Sequence, residues 1–319
     1  MTKEVLAILA ATLIFPGGFF AIALGLGLKG IERRAVARLQ RRVGPPLIQP
    51  VFDLIKLMRK RTLVPETANA TVFLAVPLVA VASMGVAAAL IPIPGVYRPD
   101  PALGDLLVLF YLVTIPAVAL MLAGSSSGSP FGAIGFSREM AIMLAYEGPI
   151  LLSIVSVALR AGSDLGQPIA LNLSEIVRYQ QEHGPYILDP WMLPAFLTYL
   201  TFIPANLGIA PFDIPEAESE ILEGPLIEYS GPPLGLLKLA SAIKAVVVIG
   251  LGVALFFPNG PAGVLGVAVF ALKCLVMVLA VAVLKASVGR MRIDQAVIFY
   301  LKWPELLGLA SLGLVAFRL

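Results

Sequence analysis

Apolar residues along this chain gather in long continuous runs, with no alternation of apolar and polar positions. Eight runs are long enough to cross a ~30 Å hydrocarbon core as helices: 5–28, 70–91, 104–123, 139–159, 191–208, 235–257, 262–285 and 296–316. Continuous runs exclude transmembrane β-strands, which alternate lipid-facing and lumen-facing residues. The pattern therefore predicts an all-α polytopic membrane protein of about eight transmembrane helices. It is one integral membrane domain over residues 1–319, with loops on one side at 29–69, 124–138, 209–234 and 286–295. The first run has no small-residue cleavage site before the basic block, so it is expected to be a retained helix. One shorter pattern lies between the spans. Residues 51–60 carry Asp53, Lys56 and Lys60 at steps of three and four behind Pro50, predicting a short amphipathic helix at the interface or tucked against other helices.

Composition agrees with that picture. The chain of 319 residues is 59% hydrophobic and 13% charged, against about 25% charged in soluble domains. Lysine and arginine set the orientation. Fourteen lie on the side of the 29–69 loop and five on the other. The basic loops are thus expected in the cytoplasm and both termini outside, in a cytoplasmic (inner) membrane. A single cysteine, Cys274, and a single histidine, His183, leave no ligand set for a metal, haem or iron–sulfur cluster. No cofactor is expected in this chain, and nothing points to nucleic acid. Cys274 reads as packing and His183 as a surface residue.

Charge inside the spans changes the picture most. Glu147, Lys238, Lys244, Lys273, Lys302 and Glu305 all fall within apolar runs, where an unpaired charge costs roughly 2.5–3.5 kcal/mol. Pro149 follows Glu147, and Pro304 lies between Lys302 and Glu305. Proline frees a backbone carbonyl that must be satisfied by neighbours or water. An ordinary kink explains each proline, and Lys302 with Glu305 at i and i+3 reads equally as a self-neutralising pair. The coincidence of breaker and charge favours a hydrated polar path.

Three loop segments complete the reading. Residues 33–61 are rich in arginine, which fixes topology and binds anionic headgroups, and include the Gly44-Pro45-Pro46 turn. Gly124 to Glu139 is rich in glycine and serine, as in a flexible linker or a surface for close approach. The third holds Asp213, Glu216, Glu218, Glu220 and Glu223 between Pro211 and Pro225. If 216–223 is helical, Glu216, Glu220 and Glu223 share one face and raise one another's pKa. A solvated acidic face is the plain alternative. The flanking prolines and Phe212, Ile214, Ile221 and Leu222 favour a docked loop.

Three stretches carry a resemblance: Gln40-Arg41-Arg42-Val43-Gly44-Pro45-Pro46, Ser137-Arg138-Glu139-Met140 through Tyr146-Glu147-Gly148-Pro149, and Ala210-Pro211-Phe212-Asp213-Ile214-Pro215-Glu216-Ala217-Glu218 through Glu228-Tyr229-Ser230-Gly231. Together and in this order they resemble the complex I subunit 1 family, a membrane component of NADH-quinone oxidoreductases. That family includes membrane subunits of group 4 nickel–iron hydrogenases. At the basic turn and after the acidic run, Gly44-Pro45-Pro46 and Gly224-Pro225-Leu226 are similar to the hydrogenase and sulfane-sulfur-reductase branch.

The resemblance implies a membrane anchor beneath a peripheral redox arm. The arm is a hydrogenase-like large subunit and an iron–sulfur small subunit. They carry the iron–sulfur clusters and, in one branch, a nickel–iron centre. Antiporter-like membrane subunits and lipid are the further partners. Asp213, Glu216, Glu218, Glu220 and Glu223 would join the redox chamber to the membrane's polar axis, Glu147 would relay within it, and Arg41, Arg42 and Arg138 would dock the arm. The function expected is coupling of electron transfer to proton or sodium translocation, without catalysis by this chain alone. Lys238, Lys244, Lys273, Lys302 and Glu305 are the further coupling candidates. A quinone-binding complex I subunit, a stand-alone ion carrier or channel, and an inert structural anchor are the alternatives.

Overall fold

The computed structural model describes residues 2–99 and 104–318. Every regular element among them is helical, apart from isolated bridges at Ile93–Tyr97 and Asp105–Asn172. In chain order the α-helices are α1 (Thr2–Leu13), α2 (Gly18–Leu39), α3 (Gln49–Met58), α4 (Ala70–Ala89), α5 (Leu106–Ser126), α6 (Pro130–Leu165), α7 (Leu173–His183), α8 (Leu193–Asn206), α9 (Glu218–Ile221), α10 (Gly231–Phe256), α11 (Val264–Ser287) and α12 (Ile293–Arg318). Seven stretches among the described residues are long and apolar enough to cross a membrane: Ile8–Leu39, α4, α5, α6, α10, α11 and α12. The chain is an all-α polytopic membrane protein.

Local chemistry sets several boundaries. The Asn69 side chain accepts from Val72 N–H at 3.3 Å and Asp105 from Leu107 N–H at 2.7 Å, capping α4 and α5. Asn172 caps α7 in the same way. Gly166, at φ +70°, closes α6 in the left-handed conformation.

Three expected boundaries are corrected. The first span breaks at residues 14–17, where Pro16 and Gly17 interrupt the ladder, and then runs on to Leu39. Lys29, Arg33, Arg34 and Arg38 therefore lie on helix, not loop. The expected linker at 124–138 shrinks to residues 127–129. There Gly124 and Gly132 pack backbone to backbone, and Gly135 packs on the Pro225 ring, close approaches that side chains would block. As a result α6 has 36 residues and a length of about 54 Å, well beyond the hydrocarbon core. The fifth expected span is α8, a helix of 14 residues about 21 Å long. Short 3₁₀ turns at Tyr186–Leu188 and Pro190–Met192 precede it. Prolines at 190 and 194 withhold backbone donors there, and α6, α10 and α12 surround the short helix. With its C-terminal turns from Phe202 to Asn206 buried in protein, it need not span on its own.

At the centre stands α10, in which every residue from Ala242 to Phe256 is buried. It packs on α2, α3, α4 and α11. Gly25 of α2 lies against the Ala242 carbonyl, the close approach that small residues permit between membrane helices. On the other flank α6 and α12 form a long pair, with α8 against both. The expected amphipathic helix is α3, with Pro50 in its first turn.

Candidate functional site

The acidic segment between α8 and α10 is docked, as its apolar residues predict. Phe212, Ile214, Ala217 and Ile221 are buried at 4%, 2%, 0% and 3% exposure. It is not a helix over 216–223, however. Only the single turn α9 forms, and Leu222 and Glu223 take positive φ (52° and 68°). Gly224 follows, packed on the Pro215 carbonyl. The burial of flanking apolar side chains overrides helix extension, so Glu216, Glu220 and Glu223 share no helical face. Glu220 points outward and pairs with Arg138 of α6 at 2.5 Å. Asp213 accepts two hydrogen bonds from Arg290 (2.9 and 2.6 Å), whose third goes to Ser219 at 2.8 Å. Arg138, expected to dock a partner, thus bonds within its own chain. The side chain of Glu218 lies outside the described residues.

Glu216 and Glu223 turn inward and line a cavity of about 380 Å³. From α2 comes Lys29, from α6 Glu139, from α8 Asn206, and from α10 Lys238 and Lys244. The inner face of α3 adds Asp53, Leu54 and Leu57. Lys244 is 7% exposed and its ammonium donates to the Asn206 carbonyl at 2.5 Å. Lys29 donates to Ser241 Oγ at 2.7 Å. Glu139 is 8% exposed and lies in the field of Lys244 and Glu216. Asn206 Nδ2 donates to the Tyr146 hydroxyl at 3.5 Å, while its Oδ1 is buried without a partner among the described residues. A buried orphan acceptor on a polar cavity is suited to ordered water.

Electrostatics at the rim follow from burial and neighbours. Burial pushes the Glu216 carboxyl above its ordinary pKa, opposed by Lys29 and Lys244 and reinforced by Glu223. Burial would also raise Asp53, but hydrogen bonds from Arg33 (2.8 Å) and Gln49 (2.9 Å) outweigh it and hold that carboxyl low. Alternating carboxylates and ammonium groups around one cavity can accept, hold and release protons as a coupled set.

The remaining candidates lie elsewhere. Lys273 donates to the carbonyls of Phe257 (2.6 Å) and Asn259, capping the end of α10 away from the cavity. Glu147 is half-buried at the middle of α6. Next to it, Gly148 faces Glu305 of α12 so closely that a Cβ would lie 2.9 Å from Oε2. Lys302 is exposed, with its ammonium 5.2 Å from the Trp303 ring. Among the described residues no ion pair joins it to Glu305, so the self-neutralising alternative does not form. Arg41 and Arg42 are exposed. Cys274 is fully buried, and His183 is exposed and stacked on Tyr179. Sequence reasoning did not single out Glu139, Lys29 or Asn206. The first two were readable as charges at the ends of apolar runs, but both fell at assumed loop boundaries.

The family model described as NADH dehydrogenase matches residues 10–316. Formate hydrogenlyase subunit 4 of Escherichia coli is 37% identical over 84% of this chain and 86% of its own length. An NADH-quinone oxidoreductase subunit of Thermomicrobium roseum is 34% identical over 93% and 92%. Among solved structures, a chain of the membrane-bound sulfane sulfur reductase, an archaeal respiratory membrane complex, superposes with a TM-score of 0.87 at 29% identity, covering 97% of this chain and 99% of that one.

Proposed function

The chain belongs to the NADH dehydrogenase family, and from that premise we propose that it is the membrane-anchor and coupling subunit of a hydrogenase-type respiratory complex. Its basic loops face the cytoplasm and carry the redox arm, whose subunits supply the metal clusters. Electron transfer there drives proton or sodium movement through this chain and neighbouring membrane subunits. The observation that carries this reading is the cavity joining the acidic loop to α10, with Glu216, Glu139, Lys244 and Lys29 around it. At roughly 30 Å³ per water, its volume accommodates on the order of a dozen molecules. None of its lining residues among the described ones is aromatic, whereas sites for flat organic ligands are mostly apolar and aromatic. That lining favours ion and water traffic over a quinone.

In this mechanism, a charge change at the redox arm shifts proton occupancy at Glu216. Glu139 and Lys244 respond because their charges interact with it across the cavity. The charge of Lys244 lies near the middle of α10, where it biases the ionisation of groups deeper in the membrane.

The test is the assembled complex in sealed vesicles. Glu216→Gln and Glu139→Gln are expected to co-purify with the other subunits yet lower ion translocation per electron at least tenfold. Normal translocation by an assembled double variant would sink the coupling role and leave a structural anchor. Ion transport by the purified chain alone would replace the proposal with a carrier. Quinone-dependent turnover would move it to the quinone-reducing branch.

A further inference from the structure

A second concavity, at the end of α2, adjoins the coupling cavity and shares Arg33 and Lys285 with it. This pocket, about 440 Å³, is lined by Arg33, Gln40 and Arg42, the Gly44-Pro45 turn and Lys285 at the end of α11. No carboxylate among the described residues lines it. Arg33 pairs with Asp53 at 2.8 Å and Lys285 with Glu32 at 3.0 Å, which balances two of the three cations. Arg42 has no ion pair among the described residues. The same holds for its exposed neighbours Arg34, Arg38 and Arg41. A surplus of positive charge therefore surrounds a concave space with donors converging from two helices.

Position indicates what kind of anion suits these cations. Arg38 is in the last turn of α2 and Lys285 in the last turn of α11, so the pocket lies where two spanning helices leave the hydrocarbon. Leu39 and Val43, flanking the cationic stretch, are 52% and 77% exposed, and Val288 beyond Lys285 is 41% exposed. Apolar surface bordering a cationic pocket at that depth suits a molecule with an anionic head and hydrocarbon tails. The backbone is built for the pocket's shape. Gly44 takes φ +77°, and a Cβ there would lie 2.9 Å from the Ala37 Cβ.

We propose that this pocket binds the phosphodiester headgroup of an anionic phospholipid, with its acyl chains beside Leu39 and Val43. Arg42 supplies the fork of donors that matches phosphate oxygens, Gln40 adds a neutral donor, and Arg33 and Lys285 contribute charge while keeping their own carboxylate partners.

Native mass spectrometry of the whole complex, exchanged into detergent doped with phosphatidylglycerol or phosphatidylcholine, reads this site. The expected result is retention of phosphatidylglycerol at least tenfold over phosphatidylcholine. Arg42→Gln should abolish that preference, and Arg42→Lys should keep part of it. Lipid retention is compared only in variant complexes that the same spectra show to be fully assembled. Retention unchanged in Arg42→Gln, or no preference between the lipids, would overturn the proposal. Displacement of the adduct by millimolar inorganic phosphate would identify a free-anion site and overturn it too. An assembled complex carrying no phosphatidylglycerol would assign the pocket to a protein partner.

Discussion

Glu216 lies in the field of the Lys29 and Lys244 ammonium groups and of Glu223, and its burial dominates its protonation. Because burial raises its folded pKa above the ordinary 4.5, folding takes up a proton at this carboxyl. Its contribution to stability is complete below the ordinary value and is lost as pH rises through the raised one. Unfolding temperatures of the purified protein should therefore fall, relative to those of Glu216→Gln, as the buffer moves upward from pH 4.5. Parallel curves for the two proteins would refute that burial effect. At this scale the sequence was informative about residue type and less so about partners. Asp213 and Glu220 were readable as acids in a stiff loop. Their bonds to Arg290 and Arg138 join residues about eighty positions apart, and no local spacing encodes such a contact. Lys273 was readable as an expensive charge in lipid, but the carbonyls that satisfy it belong to the end of another helix.

Elements meet through glycine. Where α2 crosses α10, Gly25 touches backbone of the partner helix, while Gly27, two residues on, has open space around it. Gly25→Ala is expected to destabilise the protein by about 1–3 kcal/mol, the ordinary cost of overpacking, whereas Gly27→Ala should be neutral or slightly stabilising because alanine favours helix. Thermal unfolding in detergent checks both, and equal effects would disprove the close crossing. The hydropathy runs anticipated the long helices well, since burying or dissolving an apolar helix demands the same composition. They were poor guides to the ends. Helix α2 extends through four basic residues because its last turns pack against α3 and α11, and α8 stops short because neighbours cover it. Periodicity also failed at 216–223, where apolar anchoring of Phe212, Ile214 and Ile221 pulls the backbone into left-handed geometry.

The whole molecule has two unlike ends, and its lone cysteine makes them simple to tell apart. Cys274 is fully buried, so the natural chain should be silent to a membrane-impermeant maleimide. Arg59→Cys, beyond α3, should label only from the cytoplasmic face, and Glu182→Cys, in α7, only from the outside. The reverse pattern would invert the proposed orientation while leaving the fold intact. The burial of α10 has a consequence for how the chain is made. Lys244 lies at the midpoint of that helix, where lone insertion into lipid would cost roughly 2.5–3.5 kcal/mol, and from Ala242 to Phe256 the helix is buried all round. Its neighbours α2 and α4 and the Asn206 carbonyl that receives Lys244 all precede it in the chain. They are synthesised first, so most of the walls leave the ribosome before the central post, and α11, which also packs on α10, closes the bundle after it.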